Sequence, residues 1–238
     1  MNIFLETHLG SCINLSMAHA VDQFFPGKFF MLGIIHRDRR NDRLLEEWMG
    51  KLRPEVVTLE LSPYGLAFRR SLGEVYRRRI DDICDGLRLE GHTCLSPELE
   101  DLYSYVEIPR EYEIAGDYCR RTNARLYPVD MDLFSFMKLR EIDELISREN
   151  IRKNLSEKER RGGSAQEVLA GLYFRSGVTA FSYSEEMVLR DRFMCHGIGL
   201  LMKRFCDKRF LHIAGWQHLK DPLNLYAQFQ PVKIFPYD

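Results

Sequence analysis

Two histidines in this chain each close a Gly-x-x-His: Gly33-Ile34-Ile35-His36 and Gly215-Trp216-Gln217-His218. With 16 Gly and 7 His in 238 residues, about half of one such match is expected by chance. A glycine three positions ahead of a histidine lets the backbone turn, or lets another chain come close. Glu60 stands inside Val56-Val57-Thr58-Leu59-Glu60-Leu61. A carboxylate in so apolar a run is expected to be buried. Left unpaired it would cost several kcal/mol, so it calls for a metal, an arginine or a proton. Asp130, followed closely by Asp132, ends a third short run, Arg125-Leu126-Tyr127-Pro128-Val129-Asp130. Imidazoles and carboxylates together suit a divalent metal and acid/base work. Arg190-Asp191 adds a further polar pair. Both residues lie three or four positions from Met187 and Met194, on or beside a helix face that Ile198, Leu201 and Phe205 continue. The plainer alternatives are structural histidines hydrogen-bonded near helix starts, a salt bridge at Glu60, and an Arg190–Asp191 ion pair at the edge of the core.

These residues need a frame that gathers them. Phe29 to Ile35 is a continuous apolar run bounded by Gly27-Lys28 and a charged cluster, which reads as a fully buried strand. Further strands are expected at 56–61, 126–130, 209–214 and 232–235; Pro128 counts against the third. Helices are expected between them. Asn41 is a candidate cap for one carrying Leu44, Leu45, Trp48 and Leu52 inward. A long helix after Pro63 is rich in arginine (Arg69, Arg70, Arg77, Arg78, Arg79) and reads as a solvated face or an anion-binding surface. Others are expected at about 98–106, 110–123 and 183–206, with a short one opened by Pro222. A helix from about Ser11 to Phe25 is expected ahead of Pro26-Gly27. Strand alternating with helix implies an α/β fold with a central, mainly parallel sheet flanked by helices. Residues 1–238 read as one domain, with an N-terminal segment at 1–27 and a charged helical insertion or cap at about 132–176, broken at Gly162-Gly163. Such sheets bind ligands at the carboxyl ends of their strands. His36, Glu60, Asp130 and the Gly215/His218 pair all fall there.

Composition narrows the partners. A net charge of -1 gives no general pull toward nucleic acid or an anionic membrane. Cys12, Cys84, Cys94, Cys119, Cys195 and Cys206 include no Cys-x-x-Cys; they read as reduced thiols in a cytoplasmic setting. Nothing approaches 18 apolar residues, and no basic-then-apolar leader is visible. There is no Walker loop, G-x-G-x-x-G or G-x-S-x-G. His8, His19, His92, His196 and His212 have no context that suggests chemistry.

The paired Gly-x-x-His motifs, the glutamate in Val-Val-Thr-Leu-Glu-Leu, Tyr127-Pro128-Val129-Asp130 and Arg190-Asp191-Arg192-Phe193-Met194 resemble the TraB/PrgY/GumN/Tiki family, which shares its fold with erythromycin esterase and ChaN-like proteins. The likeness runs from about residue 29 to 235. It departs from the family at Leu189, where the family has glutamate before its arginine. The resemblance implies the same sheet-and-helix fold and, from the Tiki branch, a metal-dependent peptidase with His36, Glu60 and His218 at the metal. Manganese, cobalt or zinc would suit that site. Glu60 would be ligand or general base, Arg190 would stabilise an oxyanion, and Asp191 or Asp130 would orient their partners, with Gly33 and Gly215 in support. The substrate would be a peptide or small molecule. Two alternatives stay open: a metal-free hydrolase resembling erythromycin esterase, in which His36 and Glu60 activate water, and a non-catalytic protein binding peptide or haem. The resemblance is silent on oligomeric state.

Overall fold

The computed structural model describes residues 4–6, 12–14, 28–92, 97–156, 165–176 and 183–237. By contact density the chain forms two compact units. One takes residues 1–60, 110–130 and 163–238; the other takes 61–109 and 131–162.

The first unit holds a five-stranded, all-parallel sheet. Its strands are β3 (Phe29–Ile34), β4 (Val56–Leu59), β5 (Arg125–Pro128), β6 (Phe210–Gly215) and β7 (Val232–Ile234), ordered β5-β4-β6-β3-β7. All five were expected from the sequence, because each is a short apolar or β-branched run between breakers. Every residue of β3, β4 and β6 is buried, as the inner strands of a sheet covered on both faces must be. Pro128 is tolerated because β5 is an edge strand, where a missing N–H leaves no ladder bond unmade. Phe29, Met31, Val56 and Phe210 share one face. They pack with Ala170 of α8 (Ala165–Ser176) and with Met194, Cys195 and Ile198 of α9 (Glu185–Arg204). Ser184 caps α9 by accepting the Met187 N–H at 3.2 Å. Helices α1 (Asn41–Leu52) and α4 (Arg110–Thr122) pack against each other. No helix among the described residues is long and apolar enough to cross a membrane.

Two local expectations are corrected. Asn41 does not cap α1. It lies inside the first turn, buried, and its Nδ2 donates to Ile35 O at 2.9 Å. The helix start is held instead by Asp38, whose Oδ1 accepts the Arg40 N–H at 2.8 Å. Phe4–Glu6 (β1) and Cys12–Asn14 (β2) pair as antiparallel strands. Residues 12–14 are therefore strand, because ladder pairing with β1 outweighs the local capping signal; the rest of the helix expected to Phe25 lies outside the described residues, as does Gly162-Gly163.

The second unit is helical: α2 (Pro63–Leu89), α3 (Pro97–Val106), α5 (Asp132–Leu139), α6 (Ile142–Leu145) and α7 (Arg148–Ser156). Ser62 caps α2 by accepting Gly65 N–H at 2.9 Å, with Pro63 in the first turn. Ile80, Cys84 and Leu87 of α2 pack with Leu99, Leu102 and Val106 of α3 and with Ile142, Ile146 and Ile151. This unit joins 131–162 to 61–109, whereas α8 belongs with the sheet. Arg77, Arg78 and Arg79 form a solvated face matched by acids, Arg77 to Glu107 at 3.2 Å, Arg78 to Glu74 at 2.9 Å and Arg79 to Asp143 at 2.5 Å, whereas Arg69 is half-buried and donates to Gly65 O at 3.0 Å and Ser104 O at 3.2 Å.

His212 is structural. It sits fully buried in the middle of β6, its Nδ1 3.0 Å from Thr58 Oγ1 and its ring stacked on Tyr226. Burial, with the nearby His218 charge, pushes its pKa down to about 4. The unfolded chain therefore takes up a proton below the ordinary value of 6.5 that the folded chain refuses down to about 4. Stability from this group is whole above pH 6.5 and falls by about 3 kcal/mol as pH drops through that window. The double variant Thr58→Val/His212→Phe should flatten the acid limb of stability against pH, measured by denaturant unfolding. An unchanged limb would show that His212 is not the group responsible.

Candidate functional site

Within the first unit, the carboxyl ends of the parallel strands gather one polar cluster. His36 follows β3, Glu60 follows β4, Asp130 follows β5, and Gly215 ends β6. His218 lies in the 3₁₀ turn Trp216–Lys220 that β6 runs into. Arg190 and Asp191 are on α9. Residues up to 182 positions apart meet because each strand stops at the same edge of the sheet.

Glu60 is the hub. Its Oε1 accepts from Arg190 Nη2 at 2.5 Å and lies 3.2 Å from His218 Nε2. Its Oε2 accepts the Gly215 N–H at 2.6 Å and lies 3.7 Å from His36 Nε2. Arg190 is shared: Nε and Nη2 grip Asp130 Oδ1 and Oδ2 at 3.1 and 2.6 Å. Each imidazole has its own carboxylate behind it. Glu111 Oε1 is 3.1 Å from His36 Nδ1, and Asp191 Oδ1 is 2.6 Å from His218 Nδ1. Asp191, itself buried, also accepts from the Tyr226 hydroxyl at 3.0 Å and from the Tyr183 hydroxyl. Both histidines thus present Nε2 toward one carboxylate. Asp132 lies outside this cluster, in the helical unit, where it accepts the Tyr64 N–H.

The electrostatics follow from this crowding. Burial alone would raise the Glu60 pKa, but the His218 and His36 rings and the Arg190 guanidinium hold it well below the carboxylate range. Burial opposes charge on His36; hydrogen bonds and attraction to Glu111 and Glu60 outweigh it and carry its pKa to about 10. Glu60 and Asp191 do the same for His218, again to about 10. Burial likewise opposes charge on Arg190, and Glu60 and Asp130 raise its pKa further above the ordinary value. With folded values raised, the stability that the two histidines contribute is whole below pH 6.5 and is lost as pH rises toward 10.

Compared with family models, with curated proteins and with solved structures, the chain matches none. The site is therefore read from its own geometry. Among the described residues, no three His, Cys, Asp or Glu side chains already stand with the mutual spacing of a metal centre.

Sequence reasoning did not find Glu111, Tyr183 or Tyr226. Glu111 looks like an ordinary acid in the first turn of an amphipathic helix. The tyrosines carry no motif, and their partner Asp191 is 8 and 35 positions away.

The two motif glycines serve close approach. A Cβ on Gly33 would lie 2.4 Å from Leu219 Cδ1 and 3.0 Å from the Trp216 backbone. A Cβ on Gly215 would lie 2.9 Å from His36 Nε2 and 3.3 Å from Glu60 Oε2. Gly33→Ala should therefore behave as an overpacked core, costing about 1–3 kcal/mol. Gly215→Ala should leave the melting temperature nearly unchanged while displacing the His36 ring. Thermal melts paired with histidine NMR would separate the two; equal melting losses would contradict the assignment.

Proposed function

We propose that the chain is a metal-dependent hydrolase acting on a peptide or amide bond, with water activated beside His36, Glu60 and His218. The observation that carries this reading is the pair of imidazoles, each backed at Nδ1 by a carboxylate and each aiming Nε2 at Glu60. Histidines that hold metals are oriented in this way, the carboxylate fixing the tautomer and raising ligand basicity. The formal charges also fit. Four carboxyl groups (Glu60, Glu111, Asp130, Asp191) face one guanidinium and two imidazoles that carry protons at neutral pH, so a dication could replace those two protons without changing the net charge of the cluster. His36 and His218 would hold the ion, with Glu60 as third ligand or as base. A bound divalent ion supplies hydroxide at neutral pH by lowering the pKa of its water to about 7.

The chain's own groups then have distinct tasks. Glu60, kept ionised, can take a proton from water. Arg190 fixes Glu60 and Asp130 through Nε and Nη2. An oxyanion role would fall to its Nη1. Asp191 and the two tyrosines hold His218. The TraB/PrgY/GumN/Tiki resemblance supports the same assignment, and a cytoplasmic setting accords with a sequence that carries no Cys-x-x-Cys.

A second reading has its own observation. Both Glu60 oxygens are already matched by Arg190 and Gly215, and among the described residues no three donors are spaced for an ion. A metal-free hydrolase using His36 and Glu60 on water fits that arrangement. Elemental analysis of protein purified without chelators, with amide hydrolysis measured before and after chelation, tests the choice. About one divalent ion per chain, lost in His36→Ala and His218→Ala together with activity, is the expected result. Chelator-resistant hydrolysis by metal-free protein would favour the second reading. No hydrolysis under any condition would sink both and leave a binding protein.

A further inference from the structure

The outward side of α9 borders an open groove of about 590 Å³. Arg192, His196 and Lys203 stand along it, spaced i, i+4 and i+11, and so share one face of the helix. All three are exposed, and none makes an ion pair with another described residue. Among the described residues no Asp or Glu lines the groove. Exposed arginines on other helices do find acids, as Arg88 finds Asp85 at 2.6 Å and Arg110 finds Asp42 at 3.0 Å. Apolar groups complete the lining: Leu200 of α9, 55% exposed, and Leu225 and Phe229 across from it. We propose that this groove docks an acidic amphipathic helix of a partner protein, with its carboxylates on Arg192, His196 and Lys203 and its apolar side chains on Leu200, Leu225 and Phe229. None of these residues belongs to the polar cluster at the sheet edge, so docking does not require the chain to be a hydrolase.

The groove is built before anything enters it. Cys195 Sγ donates to Leu225 O and accepts from Gln228 Nε2, both at 3.2 Å, which ties the 225–229 turn to α9. Phe229 rests edge-on against Phe29 of β3, with 5.3 Å between ring centres. Preformed walls spare a ligand the cost of ordering them. Gly199 keeps the floor low. A glycine inside a helix costs about 1 kcal/mol relative to alanine, and a Cβ there would meet nothing closer than Phe229 Cζ at 3.5 Å, an ordinary contact. Packing of the chain against itself does not require this glycine; room for an occupant does. Arg192 to Lys203 spans about 16 Å of helix axis, which a partner helix with carboxylates at the same spacing can match. A flat lipid surface would meet the cations but not the floor or the Leu225–Phe229 wall.

The test is fluorescence anisotropy of a labelled synthetic helical peptide, about 16 residues long, with glutamates at i, i+4 and i+11 and leucines beside them. A second peptide carries lysines in place of the glutamates. The glutamate peptide should bind the unmodified protein and the lysine peptide should not. Arg192→Glu/Lys203→Glu should weaken binding at least about tenfold. Gly199→Leu alters no charge and should weaken it by a similar factor, because its side chain fills the floor. Arg192 and Lys203 are exposed, so the charge-reversed protein should fold like its parent, which circular dichroism checks. Failure of the glutamate peptide to bind, equal binding of the two peptides, or binding that both variants leave unchanged would overturn the proposal. Binding to vesicles of phosphatidylserine and phosphatidylcholine without binding to the peptide would also overturn it, in favour of a membrane-facing surface. Self-association that the charge reversal breaks, again without peptide binding, would overturn it in favour of an interface between copies of the chain.

Discussion

Arg190→Met is expected to cost the folded state about 3–5 kcal/mol, the usual result of removing one partner from a buried ion network. The guanidinium stands between Glu60 at 2.5 Å and Asp130 at 2.6 Å, whose side chains are 7% and 9% exposed. Methionine fills similar volume but leaves two carboxylates facing each other without their common cation. Denaturant unfolding should show a lower midpoint with little change in slope. The loss should shrink in acid, where a buried carboxyl can take a proton. Adding Asp130→Asn should recover part of it, because the two sites share one partner and cannot be additive. A loss under about 1 kcal/mol would place Arg190 among ordinary surface pairs and remove the reason for treating the cluster as one network.

Glu60→Gln should lower hydrolysis by about 10²–10⁴-fold, the range for loss of a positioned acid or base. The amide keeps the shape of the carboxylate but offers one acceptor oxygen where Arg190 and Gly215 N–H each need one. Its NH₂ must face one of those donors. A stability loss of about 1–3 kcal/mol should accompany the rate loss. Metal content then separates two roles: an ion retained by Glu60→Gln marks Glu60 as base, and an ion lost marks it as ligand. Turnover at the unmodified rate would exclude this cluster as the reacting site.

The sequence by itself determined the strands and most of the helices, because short apolar runs between breakers and helical spacing are local signals. The parallel sheet followed from their alternation. With it came the edge where His36, Glu60, Asp130, Gly215 and His218 gather, since ligand groups in such sheets stand at strand carboxyl ends. Burial of Glu60 and an inward Arg190 were also legible, from an acid inside an apolar run and from spacing to Met187 and Met194. Only the tertiary structure decided who pairs with whom. The strand order brings β6 between β4 and β3, so Gly215 N–H reaches Glu60. Nothing local in Glu111 marks it as the partner of a histidine 75 positions away, and nothing in Tyr226 marks it as a donor to Asp191. The purpose of the two motif glycines needed neighbours too. Their backbones are crowded by Leu219, Trp216 and His36, contacts that exist only once the chain has folded.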